Sequence, residues 1–382
     1  MNAKLFVCAC LLAGAVSARG DFAKYIELTV DYTPTATVDN FQVLVRLNSS
    51  RIDYADVKNS GADLKFTDAL GETVYPHEDD TWNPAGESLV WVRIPELAKG
   101  AKFRMYYGDQ SVTANPSAAN VWSAYAGVWH LNAAVDSANK DYKPEDGTTH
   151  TTRFYDCARV LSDGVLGKGL GSTAKTGAAF SSKVYDDRNG HKCPIQVSNS
   201  QRFTVSCWVR VQSVAAWSDL LGPVSSNGGE TGWKAEWTGN DSSKGLSLRM
   251  CMWGVNGESL NYFSNIKVLL SGWHKLDMIW DVNSLILYVD GELFGQKTNS
   301  PREPTWYWTG WMGWGGCINS DGSLASTGTA SGTDFDECRI YNGVKNAARV
   351  AADYATVKNA EFLTFQAARD NIGEPGSVLV LH

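Results

Sequence analysis

Residues 334–341 read Asp334-Phe335-Asp336-Glu337-Cys338-Arg339-Ile340-Tyr341, and this stretch decides the fold. It has the composition of a strand. Gly332-Thr333 leads into it and Asn342-Gly343 stops it. Strict alternation puts Phe335, Glu337, Arg339 and Tyr341 on one face, with Asp334, Asp336, Cys338 and Ile340 on the other. Upstream, Ser271 to Asp281 and Ser284 to Val289 read as two further strands joined at Val282-Asn283, the second ending in an Asp290-Gly291 turn. The strand at 334–341 is expected to close a β-sandwich that begins near residue 121.

Four runs carry a resemblance. They are Phe203-Thr-Val-Ser-Cys-Trp-Val-Arg, Gly272-Trp273-His274, Leu287-Tyr-Val-Asp-Gly and Phe335-Asp-Glu-Cys-Arg-Ile-Tyr-Asn. In this order and spacing they resemble the concanavalin A-like, laminin-G-like jelly rolls of bacterial surface proteins. The resemblance covers roughly residues 121–366. It implies a fold and leaves function open, because such folds host lectins, adhesins, glycosidases and spacers.

Residues 21–109 carry their own strand pattern. Tyr25 to Tyr32 and Phe41 to Leu47 alternate, the latter with Phe41, Val43, Val45 and Leu47 on one face. Ala62 to Asp68, Leu89 to Ile94 and Lys102 to Gly108 follow, punctuated by Asn59-Ser-Gly, Leu70-Gly71, Asn83-Pro84 and Lys99-Gly100. Short strands at this spacing predict a second all-β sandwich. Ile52-Asp-Tyr-Ala-Asp-Val, Gly61 to Asp68, Val90-Trp-Val-Arg-Ile-Pro and Met105-Tyr-Tyr-Gly-Asp resemble a bacterial domain family of unknown function, DUF2341. That resemblance implies an extracytoplasmic β-domain, often followed by a jelly roll.

The fold class is therefore all-β, with two β-sandwich domains, the second a concanavalin A-like jelly roll. Residues 110–120 are expected to be a linker, and 367–382 a C-terminal tail. Within 121–366, Asn346 caps a helix and Glu361 to Phe365 forms a last strand.

Residues 1–18 have the form of a signal peptide: Lys4, an apolar Leu5 to Val16, and Val16-Ser17-Ala18. The apolar run is too short to span a bilayer, which takes roughly 20 residues. The expectation is export to the periplasm, the cell surface or the medium, with no direct membrane span. A net charge of −7 argues against nucleic acid and anionic lipid as partners. Of the eight cysteines, two fall in the signal. Among the rest, Cys157 and Cys193 are the candidate disulfide, because both lie in an irregular segment of an exported chain. Cys207 and Cys338 read as small core residues.

No catalytic motif is complete. His77-Glu78 opens like a zinc-protease signature, but Thr81 stands where the second histidine belongs. Gly-x-Ser-x-Gly is absent. The two-carboxylate strand of jelly-roll glycosidases is also absent, and Asp334-x-Asp336-Glu337 lacks its spacing. The expectation is no enzyme activity. The jelly-roll resemblance implies one calcium between an early Asp-bearing loop and the closing strand, which here means Asp136 and Asp336. The other candidate feature is tryptophan: 15 in the chain, four of them within Trp306 to Trp314. Trp306, Trp308, Trp253 and Trp233 are the candidate ligand-binding residues, since exposed aromatic rings stack on sugar faces; Trp217 and Trp237 also fall in or beside loops. The chain is expected to bind a glycan or a surface protein. The alternatives are a structural or assembly module, including the external part of a membrane transport complex, and a divergent glycoside hydrolase.

Overall fold

The computed structural model describes residues 22–109, 111, 116–139, 152–154, 159–172, 180–183, 202–212, 217–222, 233–241, 245–254, 257–298, 311–316 and 332–371. The expected signal peptide, Trp306, Trp308, Cys157 and Cys193 lie outside these residues. Among the described residues no helix is long and apolar enough to cross a membrane.

Two sandwiches form, and every strand pairing is antiparallel. In the first, Lys24–Val30, Lys102–Tyr107, Lys65–Asp68 and Val74–Tyr75 make one sheet. Val38–Leu47, Ser88–Leu97 and His77–Thr81 make the other. The alternation in Phe41 to Leu47 is realised: Phe41, Val43, Val45 and Leu47 face Ile26, Leu28, Phe103 and Met105 across the core. The run Leu89-Val-Trp-Val is apolar on both faces for a different reason. Leu89 and Trp91 point away from that core and are buried against Trp122, Tyr125 and Trp208 of the second sandwich. A sheet covered on both sides has no polar face to present.

In the second sandwich, one sheet runs in the order Arg159–Leu161, Gly169–Gly171, Thr333–Tyr341, Phe203–Val211, His274–Asp281, Ser284–Val289, Glu292–Thr298. Tyr125–Trp129 pairs with the far half of Thr333–Tyr341. The facing sheet is built on Gly257–Ile266, Gly245–Gly254, Trp233–Asp241, Ser218–Gly222 and Trp311–Trp314. Between them lie Trp129, Trp233, Trp237, Trp280 and Trp314. Trp280 is a core residue, whereas Trp273 is only partly buried and packs on the junction between the sandwiches. Cys207 and Cys338 are buried free thiols.

The closing strand departs from strict alternation. Glu337 has a positive φ of 48°, and the pairing register with Phe203–Val211 shifts between Ser206 and Trp208 opposite it. This is a β-bulge, which adds one residue to a strand and swaps the faces beyond it. Phe335, Cys338 and Ile340 therefore share the core, and Glu337 and Arg339 meet on the side turned to the first sandwich. The expected pairing of Phe335 with Glu337 and Arg339 on one face fails at this single residue.

The chain then crosses back. Helix Ala347–Lys358 is capped by Asn346, whose side chain accepts from Arg349 N at 2.8 Å. It wedges between the sandwiches: Ala348 and Ala352 enter the first core, and Tyr354 stacks on Trp208 of the second. Thr356 Oγ1 accepts from Leu44 N at 3.0 Å, and Val357 O from Arg46 Nη2 at 2.7 Å. Leu363–Phe365 and Arg369–Asp370 then pair with Lys24–Val30. The last strand thus belongs to the first sandwich rather than to the jelly roll. Residues 367–371 are not a loose tail. Part of the expected linker is likewise structured, as helix Ala118–Val121, with Ala118 and Val121 buried at the junction.

Candidate functional site

Two clusters of charged side chains stand out, one where the sandwiches meet and one on the outer face of the second.

At the junction, Glu78 comes from strand His77–Thr81, His130 from the end of Tyr125–Trp129, and Glu337 and Arg339 from the closing strand. His130 Nδ1 lies 2.8 Å from Glu337 Oε1, and Nε2 lies 3.3 Å from Glu78 Oε2. Trp122 Nε1 donates to Glu78 Oε2 at 2.5 Å, and Arg339 Nη2 donates to Glu337 Oε2 at 2.5 Å. The Arg339 guanidinium sits 4.3 Å from the Trp91 ring centroid and 4.7 Å from that of Trp122. Asp80 completes the group, its Oδ1 accepting from Asn132 Nδ2 at 2.9 Å. The register between Asp79 and Thr81 also slips, so Asp80 is the extra residue of a second bulge.

Burial and charge set the protonation states. Burial works against the His130 cation, but Glu337, Asp80 and Glu78 together raise its pKa well above the usual value. Burial pushes Glu78 up; His130 and the hydrogen bonds from His130 and Trp122 outweigh it and hold the carboxyl at about 2. Glu337 is lowered in the same way, with His130 and Arg339 overcoming burial. Asp80 is half-buried, and desolvation of its carboxyl, with weaker compensation, pushes it up to about 6. Asp336 is raised well above the carboxylate range by burial and by the neighbouring charge of Glu337.

The residues of the expected calcium pair both accept backbone hydrogen bonds. Asp136 Oδ1 accepts from Val128 N at 2.9 Å and Ala138 N at 3.1 Å. Asp336 Oδ2 accepts from Leu166 N at 2.8 Å, and Oδ1 from Glu337 N at 2.8 Å. Each carboxylate thus accepts one N–H from a strand, Val128 or Glu337, and one from outside the strands, Ala138 or Leu166. Among the described residues, the group able to hold a metal is Asp80, His130 and Glu337, whose ligand atoms lie within 4.8 Å of one another. Sequence reading passed over Asp80 and His130 because neither sits in a motif. The one available signal was the oddly charged strand His77-Glu-Asp-Asp.

The second cluster lies on the outer face of the five-strand core of the facing sheet. Asp219, Glu236, Arg249 and Tyr262 are register partners across four neighbouring strands and so share one face. Trp233, Ala235 and Trp237 alternate with Glu236 into the core. Lys234 Nζ is 2.9 Å from Glu236 Oε2 and 3.2 Å from Asp219 Oδ1, and Arg249 also pairs with Glu236. Trp217 is 56% exposed, with the Arg249 guanidinium 4.9 Å from its ring centroid; Tyr262 is 42% exposed, 5.9 Å from the same guanidinium.

Of the expected aromatic platform, Trp233 is overturned. It is 2% exposed and packs on Phe203 and Trp280 at 4.8 and 5.2 Å between centroids. A ring this large at an inward position of a sandwich is core filling. The backbone of Trp253 lies in strand Gly245–Gly254.

Comparisons with known proteins agree with the domain order. Residues 60–138 match the family described as a domain of unknown function, DUF2341. Residues 187–351 match the family described as the concanavalin A-like lectin/glucanases superfamily. The chain thus carries the first region followed by the second, and its all-β, concanavalin A-like character is established. Asp80 and His130 fall in the first match and Glu337 in the second, so the junction cluster joins the two. None of the curated proteins matches the chain. Among solved structures, it is similar to the binding domain of Paraclostridial Mosquitocidal Protein 1, at 13% identity and a TM-score of 0.42 over 62% of this chain and 53% of that one. It is also similar to the botulinum neurotoxin serotype G binding domain, at 12% identity and a TM-score of 0.40 over 60% and 50%. A third is a botulinum neurotoxin type C structure whose cell entry is described as dependent on two ganglioside molecules, at 14% identity and a TM-score of 0.42 over 63% and 53%. This chain spans about half the length of each, and at such scores the likeness says nothing of what it binds.

Proposed function

We propose that this chain is an exported, non-catalytic binding protein that holds a glycan or another surface component on the outer face of its second sandwich. The observation that carries the reading is the cross-strand row Asp219–Glu236–Arg249–Tyr262 beside Trp217. Carbohydrate ligands need flat apolar surface for the ring face and fixed polar groups for the hydroxyls. Trp217 and Tyr262 supply the first. Arg249, set between the two rings and held by buried Glu236, supplies the second. Export rests on the sequence of residues 1–18, and the jelly-roll match is consistent with recognition work.

One feature favours a second reading, a glycoside hydrolase. Asp219 and Glu236 both approach Lys234 Nζ, at 3.2 and 2.9 Å, which brings two carboxylates close together on one sheet face. Against it, both are buried and engaged by cations, whereas cleavage needs one carboxyl free to donate a proton to the glycosidic oxygen.

A glycan array on the full chain, with and without calcium, tests both readings. Binding without turnover is expected, falling at least tenfold in Trp217→Ala/Tyr262→Ala while thermal stability stays unchanged. A wild-type chain that binds no glycan, or a double variant that binds as well as wild type, overturns the site. Released sugar from any bound polysaccharide favours the hydrolase.

A further inference from the structure

Asp80, His130 and Glu337 reach one point from three elements that are far apart in sequence. Two bulges turn the carboxylates inward, and Leu131, with a φ of 63°, turns the chain immediately after His130. The geometry points to this junction as a binding site for one divalent cation of the class that takes mixed nitrogen and oxygen ligands, such as Zn2+ or Mn2+. The site lies apart from the outer sheet face, and its existence does not depend on that face binding a glycan.

Three observations carry the assignment. The donor atoms of the three side chains all lie within 4.8 Å of one another. Ions of this class bind N and O donors at about 2.0–2.2 Å, which sets the ligand atoms of a tetrahedral site about 3.4 Å apart, so side-chain rotation would have to draw the widest pair together by up to about 1.4 Å. Next, Asp80 Oδ2 is shielded from solvent and has no hydrogen-bond partner, while Asn132 holds Oδ1 and so aims the carboxylate. A buried carboxylate oxygen without a partner is costly, and it is what a metal would satisfy. Finally, three carboxylates, Glu78, Asp80 and Glu337, converge on His130, with Arg339 as the further cation among the described residues.

The donor set also selects the ion. Calcium takes six to eight oxygens and rarely an imidazole, so one imidazole with two carboxylates suits a borderline cation better. The ion would take the place of one His130 ring proton. The second ring nitrogen stays on a carboxylate, the arrangement that orients metal-bound histidines. Because its ligands come from both sandwiches, the ion would fasten one to the other.

Full-length protein stripped with chelator and titrated with ZnCl2 or MnCl2 tests this. One equivalent is expected to bind, raising the melting temperature, with CaCl2 giving a much smaller shift. Asp80→Asn keeps the acceptor for Asn132 but removes the charge. It is expected to weaken binding at least tenfold without lowering the melting temperature of the metal-free protein. Absence of uptake by wild type, or undiminished uptake by Asp80→Asn, overturns the site. If that variant does not fold, anomalous scattering from zinc-soaked wild-type crystals decides: a peak between Asp80, His130 and Glu337 supports the site, and a peak only elsewhere overturns it.

Discussion

At the junction, Glu78, Asp80 and Glu337 surround His130 and Arg339, and Trp91 and Trp122 seal the group from water. On the outer sheet face, Asp219 and Glu236 alternate with Lys234 and Arg249, and the aromatic residues beside them stand in solvent. The second cluster is balanced in charge, and its charged groups lie buried beneath exposed rings. The first has an excess of carboxylate and is closed. A balanced, rigid row beneath exposed rings can present a surface to a ligand. A closed cluster with surplus negative charge instead binds the two sandwiches together, and it has room in its chemistry for a cation.

Breaking each cluster should separate them. In the metal-free protein, Glu337→Gln strips Arg339 and His130 of their shared partner deep inside the junction. Removing one member of a buried charge group costs about 3–5 kcal/mol, and urea unfolding should show a loss of that order. Glu236→Gln strips Lys234 and Arg249 of a partner that is as buried as Glu337, but Lys234 keeps Asp219 as a second carboxylate. There the expected loss is about 1–3 kcal/mol, since one cation stays paired. A larger effect at Glu236 than at Glu337 would contradict the greater dependence of the junction cluster on its carboxylate.

The smallest effect is a pH-dependent one from outside both clusters. His274 Nδ1 lies 2.6 Å from Asp290 Oδ2, and that hydrogen bond raises the imidazole pKa against the opposing pull of burial. A raised folded-state value means the stabilisation is complete below the unfolded pKa of about 6.5. It is lost as pH rises through the folded value. The stability difference between wild type and His274→Gln should therefore shrink by about 0.5–1 kcal/mol between pH 6 and pH 9, as for a partly exposed pair. A difference that grows with pH would reverse the sign of the linkage.

How much of this was legible follows from what periodicity can encode. The apolar positions of Phe41 to Leu47 and the Asn346 cap are local signals, and both appear as read. The Trp residues were not separable. An aromatic ring suits a core and a ligand surface equally, and only the tertiary structure showed Trp233 inside and Trp217 outside. Which sandwich the strand at residues 363–365 joins was also invisible, because pairing with Lys24–Val30 closes a loop of more than 300 residues.

By itself the sequence determined that the chain is all-β, in two successive sandwiches, with a strand at 334–341 closing the second. Alternation and turn residues act over a few positions, so they can be read along a line. Only the tertiary structure decided where the charge would gather. His130 is 207 residues from Glu337 and 52 from Glu78. Two one-residue bulges, at Asp80 and Glu337, turn these carboxylates to meet it. A bulge reverses every face beyond it, and whether a strand bulges depends on the partner it pairs with, which no local pattern records.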